Sequence, residues 1–342
     1  MRKLLNTLYV TNPNSYLARD GENVVVRVDD RPVGRVPIHN LESIITFGYT
    51  GASPALIHLC AERGVSLSFH RENGQFIARV QGPVKGNVLL RRKQYKMADG
   101  SEAVEVARSI IFAKVANSRA ILNRGRRDHA EIIDLNKVRQ ESELLKRYLG
   151  VVMKLGTLDD IRGLEGDAAR RYFRALDELI LVNKDAFYIR TRSRRPPLDP
   201  MNAMLSFMYG ILRNEVQSAL ESVGLDPQVG FLHRDRPGRP SLALDMMEEL
   251  RGYLVDRLIL SMVNRRQIDP NQFIQKENGA FLLKPALRKE LIAAWQKRKQ
   301  EEITHPFLDE KISVGLLPYA QALLLARYIR GDLDAYPPFL WK

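Results

Sequence analysis

The stretch GFLHRDRPGRPSLALDMMEELRGYLVD, residues 230–256, brings an imidazole and several carboxylates together at spacings that can do chemistry. His233 stands in a loop that turns through Pro237, Gly238 and Pro240, and Ser241 is placed to cap the helix that follows. Asp245 and Glu248 share one face of that helix, and Gly252 and Asp256 continue it one and two turns on. Leu242, Leu244, Met246, Met247, Leu250 and Leu254 surround them, so the helix is buried over much of its girth. A carboxylate on such a helix costs free energy unless it is paired or holds a cation. Spacing alone leaves two readings open. One is a solvated acidic stripe or a structural ion pair, such as Glu248 with Arg251. The other is a metal site built by His233 with one or both carboxylates.

A second acid, Glu165, sits between Gly163 and Gly166 immediately before a helix expected over 167–179. The glycines let a backbone or a ligand approach closely; alternatively, the acid simply favours the positive end of the helix dipole. Downstream, Arg170 and Arg171 offer phosphate contacts, and Tyr172 and Phe173 offer core or stacking surface. A third candidate is YIRTRSRRPPLDP at 188–200, where Arg190, Arg192, Arg194 and Arg195 crowd a segment ending in two prolines. The planar guanidinium donates bidentately to phosphate, so this loop is either a DNA-backbone contact or a solvated loop. Asp199 is placed to cap the next helix, on which Asn202 and Tyr209 lie two turns apart on nearly one face. His39, His58, His70, His129 and His305 have no acidic or Cys partner at metal-ligand spacing and read as turn or core residues. Phosphate-binding G-x-x-x-x-G-K-[ST], dinucleotide G-x-G-x-x-G, nucleophile-elbow G-x-S-x-G and zinc-binding H-E-x-x-H patterns are absent from the sequence, which removes the usual support for those enzyme classes.

Two kinds of element must position these groups. Over the first eighty residues, short stretches rich in Val, Ile and aromatics (7–11, 15–19, 23–28, 32–37, 43–48, 65–70, 75–80) alternate with NPN, DGEN and DDRP turns. This texture predicts a small antiparallel sheet or sandwich, with one helix starting at Ser53 and Pro54 and stopping at Gly64. After Gly86 the apolar period becomes 3.6, and amphipathic helices are expected over 104–124, 132–149, 167–179, 201–223, 241–263, 286–303 and 316–331. The expected organisation is therefore α+β: an N-terminal β-rich domain over 1–85 and a larger all-α-helical catalytic domain over 86–342. The 342 residues carry 53 Lys and Arg against 40 Asp and Glu, a net charge of +13 that favours a polyanionic partner. Residues 1–85 hold ten basic and seven acidic side chains, and the remainder 43 and 33, so the surplus lies mostly in the helical part. With 45% apolar and 27% charged residues, the composition is globular. The single Cys60 excludes an internal disulfide framework, and the N-terminus and the absence of long apolar runs predict a cytoplasmic protein with neither signal peptide nor membrane span.

Taken together, G-L-E-G-x-A-A-R-x-Y-F at 163–173, R-R-P-P-x-D-P-x-N-A-x-L-S-F-x-Y at 194–209, G-F-L-H at 230–233 and S-L-A-L-D-x-x-E-E-L-R at 241–251 strongly resemble the CRISPR-associated Cas1 integrase family. The similarity runs over essentially the whole chain, and the ending YPPFLWK and the length are similar to the subtype I-C branch. The resemblance implies an N-terminal β-sandwich that dimerises and offers a DNA platform, followed by a helical catalytic domain. It also implies a Mg²⁺ or Mn²⁺ site, in which the family's glutamate falls on Glu165, its histidine on His233 and its last acid on Glu248, fifteen residues past His233. Asp245 stands at the preceding acidic position, as a direct or water-mediated ligand. Many relatives carry a D-x-x-E-P-F-R-P pattern here, whereas Glu249 and Gly252 occupy the two proline positions, which leaves the local helix geometry open. The implied reaction is metal-dependent attack of a DNA 3′-hydroxyl on a target phosphodiester, inserting spacer DNA into a CRISPR array, with nuclease activity when water replaces the hydroxyl. Arg170, Arg190, Arg192, Arg194, Arg195 and Tyr209 are the expected contacts to double-stranded DNA. The implied partners are a second copy of the chain and the small protein Cas2, which bridges two dimers. A metal-dependent nuclease acting on branched DNA in repair would share the chemistry. A non-catalytic DNA-binding protein would keep the basic loop but have no use for Glu165, His233 and Glu248 together.

Overall fold

A computed structural model describes residues 6–72, 74–80, 82 and 88–341. The junction expected between residues 85 and 86 lies outside them, as do Asn73 in the RENG turn and the final Lys342. The chain forms two compact units, one of Met1–Lys85 with Leu283–Ala293, the other of Gly86–Leu282 with Ala294–Lys342. A single boundary along the chain is therefore corrected in one respect: the stretch 283–293 belongs to the first unit.

In the first unit, strands β1 (Asn6–Val10), β2 (Ser15–Asp20), β3 (Asn23–Val28), β4 (Arg31–Pro37), β5 (Leu41–Phe47), β6 (Gly51–Ala52), β7 (Ser66–His70) and β8 (Phe76–Val80) form two four-stranded sheets, ordered β1-β5-β7-β8 and β4-β3-β2-β6. Asp29 and Asp30 link β3 to β4 with positive φ at both positions. Such a two-residue turn matches the strand twist, and short acidic side chains tolerate it. Helix α1 (Pro54–Arg63) starts where Ser53 accepts the amide of Leu56 and ends at Gly64, whose φ is +69°. The expected antiparallel pattern is corrected: β1–β5, β5–β7 and β2–β6 pair in parallel. The reason lies in the connections, because α1 carries the chain back between β5 and β7 and so requires parallel pairing. Leu17 and Val24 of one sheet, Ile44 and Leu67 of the other, and Leu56 and Leu59 of α1 share one buried apolar cluster. The guanidinium of Arg288 donates to the Glu72 carbonyl, tying the 283–293 stretch to this unit.

The second unit is mainly helical: α2 (Val88–Ala98), α3 (Glu102–Asp128), α4 (Leu135–Val152), α5 (Leu158–Leu176), α6 (Pro200–Ser222), α7 (Ser241–Glu248), α8 (Arg257–Asn264), the C-terminal part of α9 (Pro285–Gln300), and α10 (Leu317–Arg330). It is not all-helical, since β11 (Glu302–Thr304) pairs with β12 (Lys311–Ser313), and β9 (Phe273–Gln275) pairs with β10 (Phe281–Leu283). These three-residue strands are too short for a period of two to emerge from the surrounding helical pattern.

Three local corrections bear on function. Helix α5 begins at Leu158 rather than near 167, so Glu165 stands inside it. Thr157 accepts the Asp160 amide, Asp159 and Asp160 favour the first turn, and Ile161 is buried; together they outweigh two glycines that cost about 1 kcal/mol each in a helix. The helix expected over 241–263 breaks into α7, a turn at Glu249–Leu250, a π-helical turn at Gly252–Asp256, and α8. Glu249 and Gly252 flank this break. Ser241 is the first residue of α7 rather than its cap, and its hydroxyl donates to the Arg234 carbonyl.

Candidate active site

The carboxylate of Asp245, fully buried on α7, organises the 230–233 loop. Its oxygens accept the backbone amides of Phe231 at 2.7 Å, Leu232 at 2.9 Å and His233 at 3.0 Å, and His233 Nδ1 at 2.6 Å. Four donors fill both oxygens, so Asp245 acts as an orienting group behind the imidazole rather than presenting a free oxygen of its own. With Nδ1–H directed at Asp245, the lone pair of neutral His233 resides on Nε2, the arrangement common behind metal-ligating histidines. Gly230 is required for this approach, because a Cβ there would stand 2.6 Å from Asp245 Oδ2 and 2.8 Å from the Ser241 carbonyl carbon.

Glu248, one turn further along α7, is also buried. Its Oε1 lies 2.9 Å from Arg251 Nη1 and its Oε2 lies 2.7 Å from Lys114 Nζ of α3. Burial by itself would raise its carboxyl pKa; the Arg251 guanidinium and the Lys114 ammonium overcome that and hold it down at about 2. Lys114 also pairs with Oε1 of Glu165 on α5. The structure thus brings Glu165 and Glu248 around one ammonium and places the Asp245–His233 pair on the same helix–loop corner as Glu248. Glu248 is paired with Arg251, as the ion-pair reading expects, and it also meets a second cation, Lys114. Gly163 and Gly166 leave open space beside Glu165, with nothing within 4 Å of where a Cβ would stand.

Asp256 lies elsewhere in the network. It accepts Tyr209 Oη at 2.6 Å and Tyr172 Oη at 2.9 Å, and burial raises its pKa to about 6. Tyr172 is packed in the core. Tyr209 has its hydroxyl committed to Asp256, while the guanidinium carbons of Arg192 and Arg251 lie 5.3 and 5.0 Å from its ring centroid.

A cavity of about 640 Å³ gathers the basic residues. Arg192, Arg194 and Arg195 line it, together with Arg213 of α6, Arg236 and Arg239 of the loop after His233, Tyr209, and Arg251. A smaller cavity shares Arg192, Arg194, Tyr209 and Arg251 and is also lined by Lys114 and Glu248. Arg192 is turned inward, donating to the Ser193 carbonyl and the Asn202 amide oxygen at 2.6 Å each, and burial lowers its pKa. Arg190 and Arg170 do not line the large cavity: Arg190 stacks on Tyr188, and exposed Arg170 pairs with Asp167 at 3.3 Å. The sequence reading named Arg251 only as an ion-pair partner of Glu248 and missed Lys114, Arg213, Arg236 and Arg239 beside this site. Lys114 had a signal, since it interrupts the apolar stripe formed by Ile110, Ile111, Val115 and Ile121. Among the remaining histidines, His70 and His305 are buried, consistent with core roles.

The donor set suits a hard divalent cation: two carboxylates, one already ionised, and an imidazole whose free nitrogen is set by its partner. Glu248 Oε2 supports the fit, because it is buried without a well-directed hydrogen bond and meets only the Lys114 ammonium. Among the described residues, no three His, Cys, Asp or Glu side chains stand close enough together to hold a metal ion as they are. Lys114 occupies the space between two of the three.

The mixed fold, with a β-rich N-terminal part and a helical C-terminal part, matches solved structures of one fold class. A Cas1 protein from Thermotoga maritima superposes with a TM-score of 0.83 at 22% identity, over 97% of this chain and 99% of that one. A casposase bound to its integration product superposes with a TM-score of 0.84 at 22% identity, over 99% and 95%. In sequence, residues 8–297 match the family described as CRISPR associated protein Cas1. The chain is 50% identical to a CRISPR-associated endonuclease Cas1 of Chlorobaculum tepidum over the full length of both, and 50% identical to another from Rhodospirillum rubrum, again over the full length of both. The chain belongs to the Cas1 family of CRISPR-associated endonucleases and integrases.

Proposed function

We propose that this chain is a Mg²⁺- or Mn²⁺-dependent DNA endonuclease and integrase that inserts spacer DNA into a CRISPR array. One observation carries the reading: Glu165 and Glu248 face a common cation position next to an imidazole fixed by Asp245, beside an arginine-lined cavity. Glu165, Glu248 and His233 Nε2 would hold the metal, and Asp245 would orient His233 without ligating. Bound there, a divalent ion would supply charge stabilisation for the phosphate and the leaving oxygen. The 3′-hydroxyl of an incoming strand attacks a target phosphorus, forming one P–O bond as another breaks, so no protein nucleophile is required. With water as the attacking group the same site hydrolyses DNA.

Arg194, Arg195, Arg236 and Arg239 hold the duplex by its phosphates, largely without reading sequence. Two sheets around one apolar cluster support reading the first unit as a β-sandwich platform for dimerisation and DNA. The family membership supports partnership with Cas2 in the cytoplasm. A chain of a Cas6–RT–Cas1–Cas2 complex contains a similar fold, with a TM-score of 0.84 at 23% identity over 100% of this chain and 36% of that one. The YPPFLWK ending supports placement in subtype I-C. Among the described residues, no helix is long and apolar enough to cross a membrane.

The test offers purified protein, with its Cas2 partner, a 3′-hydroxyl duplex and a repeat-containing plasmid in Mn²⁺ or Mg²⁺. Joined products that depend on both metal and Glu165 are expected. Joining that persists in Glu165→Ala or His233→Ala would sink the proposed site. Cleavage of branched DNA without joining would point to a repair nuclease.

A further inference from the structure

The cation that the structure sets between two of the proposed ligands belongs to the chain itself. Lys114 Nζ lies 2.7 Å from Glu248 Oε2 and pairs with Glu165 Oε1. Its side chain, only 13% exposed, rises from a stretch of α3 whose neighbours Ile110, Ile111, Ala113 and Val115 are buried. One carboxylate would suffice to neutralise an ammonium. Lys114 takes two, and Glu248 already has Arg251. The four charges balance as they stand, so adding a divalent ion beside Lys114 would place like charges on shared oxygens.

We propose that Lys114 is an internal counter-ion that occupies the cation position between Glu165 and Glu248 and withdraws when a divalent ion is taken up. This rests on the metal reading of the site. Lys114 is a positioning residue in this scheme: before loading, it holds the carboxylates of α5 and α7 facing one another. Its flexible four-carbon stem allows the ammonium to turn within the smaller cavity that it lines with Arg194 and Arg251, adding to the basic wall once displaced.

The test is calorimetric titration of MnCl₂ into DNA-free wild-type protein and into Lys114→Met, which keeps the apolar stem without the charge. Binding at least tenfold tighter in the variant is expected. Equal or weaker binding by Lys114→Met, with measurable binding by wild type, would overturn the proposal and leave the metal reading standing. Absence of binding in both would overturn both. Should the variant fold poorly, acylation of Lys114 in the unaltered chain by an amine-reactive reagent, followed by peptide mass spectrometry, decides the matter. Saturating Mn²⁺ should speed that labelling several-fold, and an unchanged rate would overturn the proposal.

Discussion

Asp245 meets His233 twice, accepting both its backbone amide at 3.0 Å and its ring Nδ1 at 2.6 Å. One carboxylate on α7 therefore fixes both the path of the loop and the orientation of the imidazole it carries, with Nε2 left for a ligand. The amides of Phe231 and Leu232 complete the set, so a buried negative charge is balanced by four donors and not by a cation.

Asp245→Asn removes that charge and points an amide NH₂ at groups that are themselves donors. Hydrogen bonds to a charged acceptor contribute about 1.5–3 kcal/mol each, and losing more than one of four should cost about 3 kcal/mol of stability. Outer groups behind a metal-ligating histidine change metal affinity by about 10–100-fold. Thermal unfolding and Mn²⁺ titration of the variant check both values; unchanged metal affinity would remove Asp245 from the site's support.

Gly230→Ala tests the same corner sterically. The new Cβ would stand 2.6 Å from Asp245 Oδ2 and 2.8 Å from backbone, and neither group can swing away freely. A loss of about 1–3 kcal/mol is expected from such overpacking, with strand transfer falling alongside. Gly163→Ala, where a Cβ meets nothing within 4 Å, should instead raise helix stability by about 1 kcal/mol; chemical denaturation compares the two.

Salt dependence separates the arginines proposed to meet DNA from those that are not. Each phosphate contact contributes close to one unit of slope in log K against log salt. Arg236→Ala and Arg239→Ala, in the wall of the large cavity, should each reduce the slope by about 1. Arg170→Ala, which only breaks an exposed pair with Asp167, should leave it unchanged. Fluorescence anisotropy with a labelled duplex across a salt series gives the answer.

Asp256 makes stability depend on pH. Burial raises its pKa from 3.8 to about 6 in the folded protein, so folding is favoured while it is protonated. Its contribution is full below pH 3.8 and is lost as pH rises through about 6. The difference corresponds to about 3 kcal/mol. Asp256→Asn should flatten that part of the stability curve between pH 4 and 7, measured by denaturant unfolding against pH; a parallel decline in the variant would assign the effect elsewhere.

Much of the fold was legible because its signals are local. The DDRP turn, the Ser53 and Asp199 caps and the switch of apolar period at about residue 86 each act within a few residues. The parallel pairing of β5 with β7 was not, since it depends on which strands α1 brings together. At the proposed site, Glu165, His233, Asp245 and Glu248 stood out in the sequence because they fall in motifs whose residue types and spacing resemble the family's. The division of labour between Asp245 and Glu248 was hidden, because it depends on which carboxylate the 231–233 amides reach. Lys114 comes from a helix fifty-one residues before Glu165 in sequence and joins the site only through packing of α3 on α5 and α7. The break after Glu248 begins at Glu249. Its buried carboxylate accepts Tyr336 Oη at 2.5 Å and the Phe339 amide at 2.8 Å, tertiary contacts that no helical periodicity reveals.

Glu165, Glu248 and His233 are proposed to hold a divalent ion. Crystals soaked in MnCl₂ and measured at the manganese absorption edge test it most directly. An anomalous peak is expected within coordination distance of both carboxylates and His233 Nε2, with Lys114 withdrawn from between them. A peak elsewhere, or Lys114 still bridging Glu165 and Glu248 with manganese bound, would contradict it.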